Sequence, residues 1–275
     1  MSYEKGLVSI ISPCYNSEKY IFRMLDSVRK QTYKKIEMIC VDDGSDDDTG
    51  RIIEQNIDKF EEEGMQLIYI KKNHAGQAAA INYGLKHIHG EYLTTIDSDD
   101  FYAPQSIEKR LQALLKHTDC SIAVSDYYMV DESDLSRIIR KGNDYVRDYI
   151  FQPRQFCLLL AGHSVVTPIG YLIKTESMRR INPHMEINEC IEGQNYQILL
   201  PLYYHYKRVF VDEPLAYYVI RKDSHDHRKR TEEEMRRRWD NLCDMLKSVL
   251  EDIGLEEHEV QRYLRMSYFY RNSNK

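Results

Sequence analysis

Apolar runs of strand length alternate with amphipathic segments of helix length along the first part of the chain. The predicted strands are residues 7–12, 36–41, 67–70 and 91–96. The predicted helices between them run from Ile21 to Val28, from Thr49 to Phe60 and from Gly76 to His87, each with apolar residues at helical spacing. Strands that are apolar throughout and are separated by helices predict a parallel sheet covered by helices on both faces.

The pattern is less regular in the second part of the chain. Residues 127–149 are polar and tyrosine-rich with weak periodicity, which is typical of an irregular segment or a hairpin. A helix is predicted over 192–206, with Pro201 either kinking it or starting a second helix. Two short strands are predicted over 208–212 and 216–221, on either side of a Glu-Pro pair.

A change of composition after residue 222 predicts a helical extension. Residues 223–238 are rich in His, Arg and Lys, and Thr231 followed by three glutamates predicts a capping box. Apolar residues then recur at helical spacing until Gly254, which predicts a long amphipathic helix. We therefore expect a main domain over 1–222 and a helical extension over 223–275.

Composition narrows the class of protein. The chain has 275 residues, a net charge of −6 and six scattered cysteines without a Cys-x-x-Cys pair. These features disfavour general nucleic-acid binding and predict reduced thiols. No apolar run approaches the roughly 20 residues of a membrane helix, and the first residues lack a secretory pattern. We expect a soluble, cytoplasmic protein.

Unusual polar residues follow three of the predicted strands. The segments are Pro13-Cys14-Tyr15-Asn16, Asp42-Asp43-Gly44-Ser45 and Asp97-Ser98-Asp99-Asp100. In a parallel sheet, ligands bind outside the carboxyl ends of the strands. The three segments therefore predict one ligand site. Carboxylates that repel one another need either solvent or a hard divalent cation to neutralise them.

Four motifs in order resemble the family 2 glycosyltransferases, which have the GT-A fold. They are Val8 to Asn16, Val41 to Ser45, Asn73 through Gly84, and Gly90 through Asp100. The resemblance implies an α/β fold, with a mostly parallel, Rossmann-like sheet flanked by helices and a C-terminal helical tail. It divides the main domain into a nucleotide-binding half, 1–104, and an acceptor-binding half, 105–222.

The resemblance also implies a nucleotide-sugar donor, usually a UDP-sugar. Tyr15 would stack on the base beside Pro13, and Asp43 would accept a hydrogen bond from the base. Asp97-Ser98-Asp99 has the form of the family's DXD motif. The other positions carried over as donor-binding are Asn16, Asn73, Gly76, Asp97 and Ser98.

A divalent cation, Mn²⁺ or Mg²⁺, is implied at the diphosphate. Asp99 would be a ligand, and His225 matches by its order in the chain a histidine that often completes such sites. His227 is an alternative ligand. Arg221 and Lys222 could instead contact phosphate directly.

The segment that should supply the catalytic base departs from the family. An acidic pair is usual there, but Gln194 and Asn195 are amides, and an amide cannot act as a general base near neutral pH. Either Glu192 or Glu189 takes the proton, or Asn195 orients the acceptor while charge stabilisation at the diphosphate dominates. A third alternative is a catalytically impaired protein that binds nucleotide sugars as a scaffold.

We therefore predict an inverting glycosyltransferase of bacterial surface-polysaccharide synthesis. Its acceptor would be a glycan or a lipid-linked glycan. A nucleotidyltransferase is disfavoured, because the loop at 13–16 is not a basic, glycine-rich loop. The basic residues in 221–238 form either a solvated helix face or a contact with an anionic membrane, which would place the protein at the inner face of the membrane. The C-terminal helices dock on the main domain or form a homodimer contact.

Overall fold

The structure is a computed structural model that describes residues 3–164, 167–189, 193–221 and 230–273. Its strands are β1 (Glu4–Cys14), β2 (Ile36–Asp42), β3 (Gln66–Lys71), β4 (Gly90–Thr95), β5 (Phe101–Tyr102), β6 (Cys120–Asp131), β7 (Asp134–Lys141), β8 (Tyr171–Lys174) and β9 (Lys207–Ile220). Its helices are α1 (Ile21–Arg29), α2 (Thr49–Glu54), α3 (Ile57–Glu62), α4 (Gln77–Leu85), α5 (Ser106–Lys116), α6 (Gln155–Leu160), α7 (Thr175–Ile181), α8 (Gln194–His205), α9 (Glu232–Asp252) and α10 (Glu257–Ser273).

One mixed sheet has the strand order β3-β2-β1-β4-β8-β6-β9-β5, and β7 pairs with β6. The first four strands are parallel, as the apolar runs predicted. β8 is antiparallel to both β4 and β6, so β6 and its parallel partner β9 run in the same direction as β4. The predicted α/β fold with a mostly parallel sheet is confirmed.

Two hydrophobic clusters cover the two faces of the sheet. One cluster packs α4, α6, α7, α8, α9 and α10 against the strands. The other packs α1, α2, α3 and α5 against the opposite face. The close approach of α4 depends on Gly84, because a Cβ there would lie 2.7 Å from a methyl carbon of Ile11. The described cysteines are free thiols.

Three local predictions were wrong or incomplete. The helix predicted over 49–60 is divided into α2 and α3 at Asn56, whose buried side chain donates to the carbonyl of Ile52 at 2.7 Å. The two strands predicted around Glu213-Pro214 are one strand, β9. Its register against β6 shifts at Pro214, so the proline lies at a bulge and no ladder hydrogen bond is required from it. α8 continues through Pro201, so the alternative of a second helix starting there is wrong.

The irregular segment begins as a hairpin. β6 and β7 pair antiparallel from Tyr128 to Lys141, so the hairpin alternative is the one observed. The predicted capping box is also observed at the start of α9: the Thr231 hydroxyl accepts from the Glu234 N–H at 3.2 Å, and the Glu234 carboxylate accepts from the Thr231 N–H at 2.8 Å.

The C-terminal helices pack on the main domain. Met245, Leu246, Val249 and Leu250 of α9 belong to the same buried cluster as α8. The Ser267 hydroxyl of α10 donates to the carbonyl of Leu160 in α6 at 2.9 Å. Within the described residues, no helix is long and apolar enough to cross a membrane.

The predicted apolar stripe of α9 is buried only in its second half. Met235 remains 48% exposed, and Trp239 is half-buried with its ring edge-on to Tyr268 at 5.7 Å. α9 therefore docks through its C-terminal half.

Candidate active site

Four strands bring polar residues to one edge of the sheet. β1, β2, β4 and β9 run in the same direction, so the residues that follow them meet at the carboxyl edge. These residues are the strand-end loops, 13–17, 42–46 and 97–100, together with Arg221 after β9. The sequence prediction that these loops form one edge agrees with the strand order.

Hydrogen bonds join the first two strand-end loops. The Asn16 N–H donates to the Ser45 hydroxyl at 3.0 Å, and the Asp46 N–H donates to the Asn16 side chain at 3.0 Å. Asn16 has a φ of 46°, a left-handed conformation that asparagine tolerates better than most residues. The Ser17 N–H donates to the Thr49 hydroxyl at 2.7 Å, which ties the first loop to the start of α2. Asn16 thus acts as a connector between two loops.

The third strand-end loop joins the same network. The hydroxyls of Ser17 and Ser98 lie 2.7 Å apart. Asp97, which is half-buried, accepts from the Gln77 side chain at the start of α4 at 2.8 Å. Three donor-site candidates, Asn16, Asp97 and Ser98, therefore each form a hydrogen bond to a residue of another loop or helix.

The two acids that end β2 have different environments. Asp42 is fully buried and accepts from the Ser45 N–H and from the Tyr69 hydroxyl, both at 2.8 Å. Burial raises the pKa of Tyr69, and its hydrogen bond to Asp42 raises it further. Asp42 therefore holds the turn after β2, and Asp43, which is also buried, contacts the loop after β3 instead.

The Asp43 carboxylate is surrounded by donors from residues 72–76. It accepts from Lys72 Nζ at 2.6 Å, from the Gly76 N–H at 2.7 Å and from the Ala75 N–H at 3.0 Å, and His74 Nδ1 lies 2.8 Å away. Burial by itself would raise the pKa of Asp43, but the lysine and the two N–H groups outweigh burial and lower the pKa. Asp43 thus fixes the loop that leads into α4.

Tyr15 is expected to stack on a base, and one face of its ring is already covered by another side chain. The imidazole of His74 stacks on it with 4.3 Å between centroids and 27° between planes. Tyr15 remains 46% exposed, and Asn73 beside His74 is also exposed. Pro13 is half-buried at the end of β1. The geometry leaves an exposed aromatic surface where the first strand-end loop meets the loop after β3.

The acids after β4 meet two arginines. Arg221 Nε lies 2.7 Å from Asp99 Oδ2, and Arg23 Nη2 donates to the Asp99 carbonyl at 2.5 Å. Asp100 is buried and accepts from the Val219 N–H at 2.8 Å. Burial raises the pKa of Asp100 well above its usual range, and the charges of Asp99 and Asp97 add to the effect. Asp100 is thus part of the fold of β9, and Asp99 is the acid at the surface.

This edge of the sheet gathers polar and acidic side chains with one exposed aromatic ring, and comparison with known proteins decides the family. Residues 9–181, more than half of the chain, match the sequence profile of Glycosyl transferase family 2. The chain belongs to glycosyltransferase family 2. The match includes all three strand-end loops and ends at the last residue of α7.

Relatives in the family include two proteins of Streptococcus pneumoniae serotype 4. The chain is 38% identical over 127 residues to glycosyltransferase GlyA and 36% identical over 128 residues to glycosyltransferase GlyG. Each alignment covers 46% of this chain, but only 18% of GlyA and 41% of GlyG. The chain thus spans less than half the length of these relatives.

Solved structures of low sequence identity share the fold. S. aureus TarS 1–349 aligns with a TM-score of 0.70 and 19% identity, covering 97% of this chain and 72% of TarS 1–349. The mannosyltransferase PcManGT from Pyrobaculum calidifontis, in complex with GDP-Man and Mn²⁺, aligns with a TM-score of 0.64 and 16% identity, covering 96% and 69%. The GT-A type of fold expected from the sequence is confirmed.

The acids after β4 fit a divalent cation only in part. Asp97 and Asp99 offer carboxylate oxygens, the ligands that Mg²⁺ and Mn²⁺ prefer, and Asp99 already holds a cationic group, Arg221. Within the described residues, no three His, Cys, Asp or Glu side chains are grouped as a complete site. A diphosphate would have to supply further oxygens. The predicted ligand His225 lies outside the described residues.

The structure describes only part of the segment 189–195, in which the sequence predicts the catalytic base. Asn195 lies in the first turn of α8, after Gly193, which has a left-handed φ of 78°. A Cβ at Gly193 would lie 2.3 Å from the methyl carbon of Met245 in α9, so α9 packs directly on this turn. Glu189 is exposed, and Glu192 lies outside the described residues.

Several residues of the edge were not singled out from the sequence. They are Ser17, Tyr20, Arg23, His74 and Gln77. Ser17, His74 and Gln77 are next to motif residues in the sequence, and only this adjacency could have pointed to their place at the edge. Tyr20 and Arg23 lie at the start of α1, where the helical pattern gives no indication of what they contact.

A separate pocket lies between α7, α8 and α9. Its volume is about 350 Å³, and its lining includes Asn182, Ile187, Pro201, His205 and Ile253. None of its lining residues comes from the strand-end loops. It borders the loop 182–189, which lies in the predicted acceptor-binding half, 105–222.

Proposed function

We propose that the chain transfers a sugar from a nucleotide-diphosphate donor, most simply a UDP-sugar, to a glycan or lipid-linked acceptor. Family membership supports the reaction class. The observation that carries the proposal is the hydrogen-bonded edge of three strand-end loops, in which Asn16, Ser45, Ser17 and Ser98 are linked directly. This edge is where an open α/β sheet binds its ligand.

The chain's own residues have separate roles in the proposal. Tyr15 offers the aromatic surface for a base, and Asp43 holds the loop 72–76 that borders it. The remaining donor-site candidates, Asn16, Asn73, Gly76, Asp97 and Ser98, line the same edge. Asp99 would hold a divalent cation, which offsets the charge of the diphosphate as leaving group. His225, the second protein ligand predicted for this cation, stays a prediction from the sequence.

The reaction would be a single displacement. The acceptor hydroxyl oxygen forms a bond to the anomeric carbon while the bond from that carbon to the diphosphate oxygen breaks, and the configuration inverts. The hydroxyl proton must pass to a base on the face opposite the diphosphate. Glu192 is the proposed base, with Glu189 as the alternative. Asn195, in the first turn of α8, would orient the acceptor.

A panel of nucleotide sugars tests the donor. Thermal unfolding of the full chain is followed with UDP- and GDP-sugars, each with Mn²⁺, with Mg²⁺ and with chelator. We expect one donor to raise the melting temperature in a cation-dependent manner, and to be hydrolysed or transferred slowly. A panel without any shift would contradict the proposal.

Two aspartate variants connect donor binding to the site. Asp99→Ala should remove the cation-dependent shift and the turnover. Asp119→Ala is the matched control, since Asp119 is an exposed acid that pairs with Lys207 at 3.0 Å. Equal loss in both variants would show that the effect is not specific to the strand end.

A second candidate function is a scaffold that binds nucleotide sugar without efficient transfer. Its support is the pair of amides, Gln194 and Asn195, at the start of α8. The two candidates separate in one assay. Cation-dependent donor binding without hydrolysis or transfer to any acceptor favours the scaffold, and measurable turnover excludes it.

The proposed setting is the assembly of bacterial surface polysaccharide at the inner face of the membrane. The exposed Arg236 and Arg237 of α9 belong to the basic segment 221–238, in which residues 222–229 lie outside the described residues. Sedimentation with vesicles of anionic lipid should be salt-sensitive if this segment contacts the membrane. A homodimer through the C-terminal helices would appear in the molar mass measured by light scattering.

A further inference from the structure

Arg23, Asp99, Asp100 and Arg221 form a cluster of charges beneath the donor edge. Three of its buried polar atoms, Arg23 Nε, Asp100 Oδ2 and Arg221 Nε, lack an aligned hydrogen bond. Buried polar atoms are nearly always satisfied, and each exception costs free energy. The charge cluster is therefore not an optimised structural network, and it would gain from a change of partners.

The contact between Arg221 and Asp99 is itself an exchangeable one. Arg221 Nε lies 2.7 Å from Asp99 Oδ2, but its N–H does not point at the oxygen, so the two groups attract chiefly by charge. Elsewhere in the chain, Arg147 holds Asp212 with two hydrogen bonds from its guanidinium. The Arg221 guanidinium also lies over the ring of Tyr20, 4.6 Å from its centroid. This cation–π contact does not depend on Asp99.

Asp99 is the carboxylate of the edge that is open to exchange. Asp100 is buried against Val219, and Asp97 accepts from Gln77. The Asp99 side chain is 18% exposed and that of Arg221 is 25% exposed, so the pair can be reached from solvent. A guanidinium and a divalent cation on the same carboxylate repel each other, so the presence of one weakens the binding of the other.

We propose that Arg221 is a tethered cation that competes with a divalent cation for Asp99. In the absence of nucleotide, the guanidinium neutralises Asp99 and weakens binding of the cation alone. A diphosphate attracts both the cation and the displaced guanidinium, so cation and diphosphate bind with positive coupling. This inference deepens the proposed function and rests on it.

Binding of Mn²⁺ alone tests the competition. Free Mn²⁺ is measured by electron paramagnetic resonance in titrations of the full chain and of Arg221→Met, which keeps the length of the side chain and removes its charge. When a competing group occupies a site most of the time, the apparent affinity for the ligand is multiplied by the fraction of molecules in which the site is free. If Arg221 leaves Asp99 free in about a tenth of the molecules, Arg221→Met should bind Mn²⁺ about tenfold more tightly than the wild type. Arg147→Met, the matched control, should bind it as the wild type does.

Pyrophosphate tests the coupling without a base or a sugar. Adding it should raise the Mn²⁺ affinity of the wild type by a larger factor than that of Arg221→Met, because the variant has no guanidinium to transfer. The gain in Mn²⁺ affinity caused by Arg221→Met should vanish in the double variant that also carries Asp99→Asn. Arg221→Lys, which keeps the charge, should bind Mn²⁺ within about threefold of the wild type, a partial rescue of the competition.

Two results would overturn the competition between Arg221 and the divalent cation. Mn²⁺ affinity in Arg221→Met that is equal to or below that of the wild type overturns the proposal, and so does an equal gain in Arg147→Met. Circular dichroism melting checks that each variant folds, and Arg221→Gln carries the test if the Met variant does not fold. A wild type that binds Mn²⁺ with pyrophosphate but no nucleotide sugar would refute the proposed function and leave the competition standing.

Discussion

The side-chain amide of Asn82 forms two hydrogen bonds with the backbone of Ile187, one in each direction and both 2.8 Å long. Asn82 is buried in α4, the helix that follows the loop 72–76 around Asp43. Ile187 lies in the loop that precedes α8. One asparagine therefore links α4, beside the strand-end loops, to the loop that leads into α8.

Asn82→Ala should destabilise the protein by leaving the buried N–H and C=O of Ile187 without partners. A buried unpaired group costs about 1–3 kcal/mol, so we expect the free energy of unfolding in urea to fall by at least that amount. Gln112→Ala, at an exposed position of α5, should change it by less than about 0.5 kcal/mol. Equal effects at the two positions would contradict the assignment.

Asp43→Asn should reveal an acid-dependent contribution to stability. The carboxyl pKa is lowered in the folded chain, since Lys72, Gly76 and Ala75 outweigh the effect of burial. Asp43 therefore stabilises the fold above the unfolded pKa of about 3.9, and this stabilisation is lost as pH falls through the lower, folded pKa. The difference in unfolding free energy between wild type and variant should be largest near neutral pH and should shrink below about pH 4. A difference that does not vary with pH would argue against the ionised contact.

The two halves of α9 should respond differently to truncation. Leu246 is fully buried and Met235 is 48% exposed on the same helix. Leu246→Ala should lower the free energy of unfolding by about 2–5 kcal/mol, as cavities in cores do. Met235→Ala should lower it by less than about 0.5 kcal/mol. Equal losses in chemical denaturation would mean that α9 docks along its whole length.

Glu192→Gln should lower turnover far more than Glu189→Gln. A positioned general base contributes about 100- to 10,000-fold to the rate, and glutamine cannot take the proton. The measurement is kcat with saturating donor and acceptor, with donor binding by thermal shift as the check on folding. Near-normal kcat in Glu192→Gln would assign the base elsewhere.

The regular part of the fold could be predicted because its signals are local. β1, β2, β3 and β4 are short apolar runs with helices between them, and parallel pairing brings their ends to one edge. The position of Asp97 and Asp99 at this edge could be predicted for the same reason, since a strand end is visible as the point where an apolar run stops.

The remaining contacts depend on partners that are distant in sequence. Arg221 reaches Asp99 because β9 runs in the same direction as β4, although β8 and β6 lie between them. β9 itself was divided in the prediction, because Pro214 looks like a strand end unless the bulge against β6 is known. His74 on Tyr15 is likewise a contact between two loops, and no periodicity encodes it.

The contact between Gly193 and Met245 has a consequence for recombining this chain with its relatives. The family match ends at residue 181, but the helix that carries Met245 rests on the turn that starts α8 and supplies part of the hydrophobic wall beside it. A chimera joined at the end of the match keeps Gly193 and Met245 together, whereas one joined between α8 and α9 would bring a foreign helix against Gly193. Crossovers that keep α8, α9 and α10 together should give soluble hybrids, and those that separate them should not.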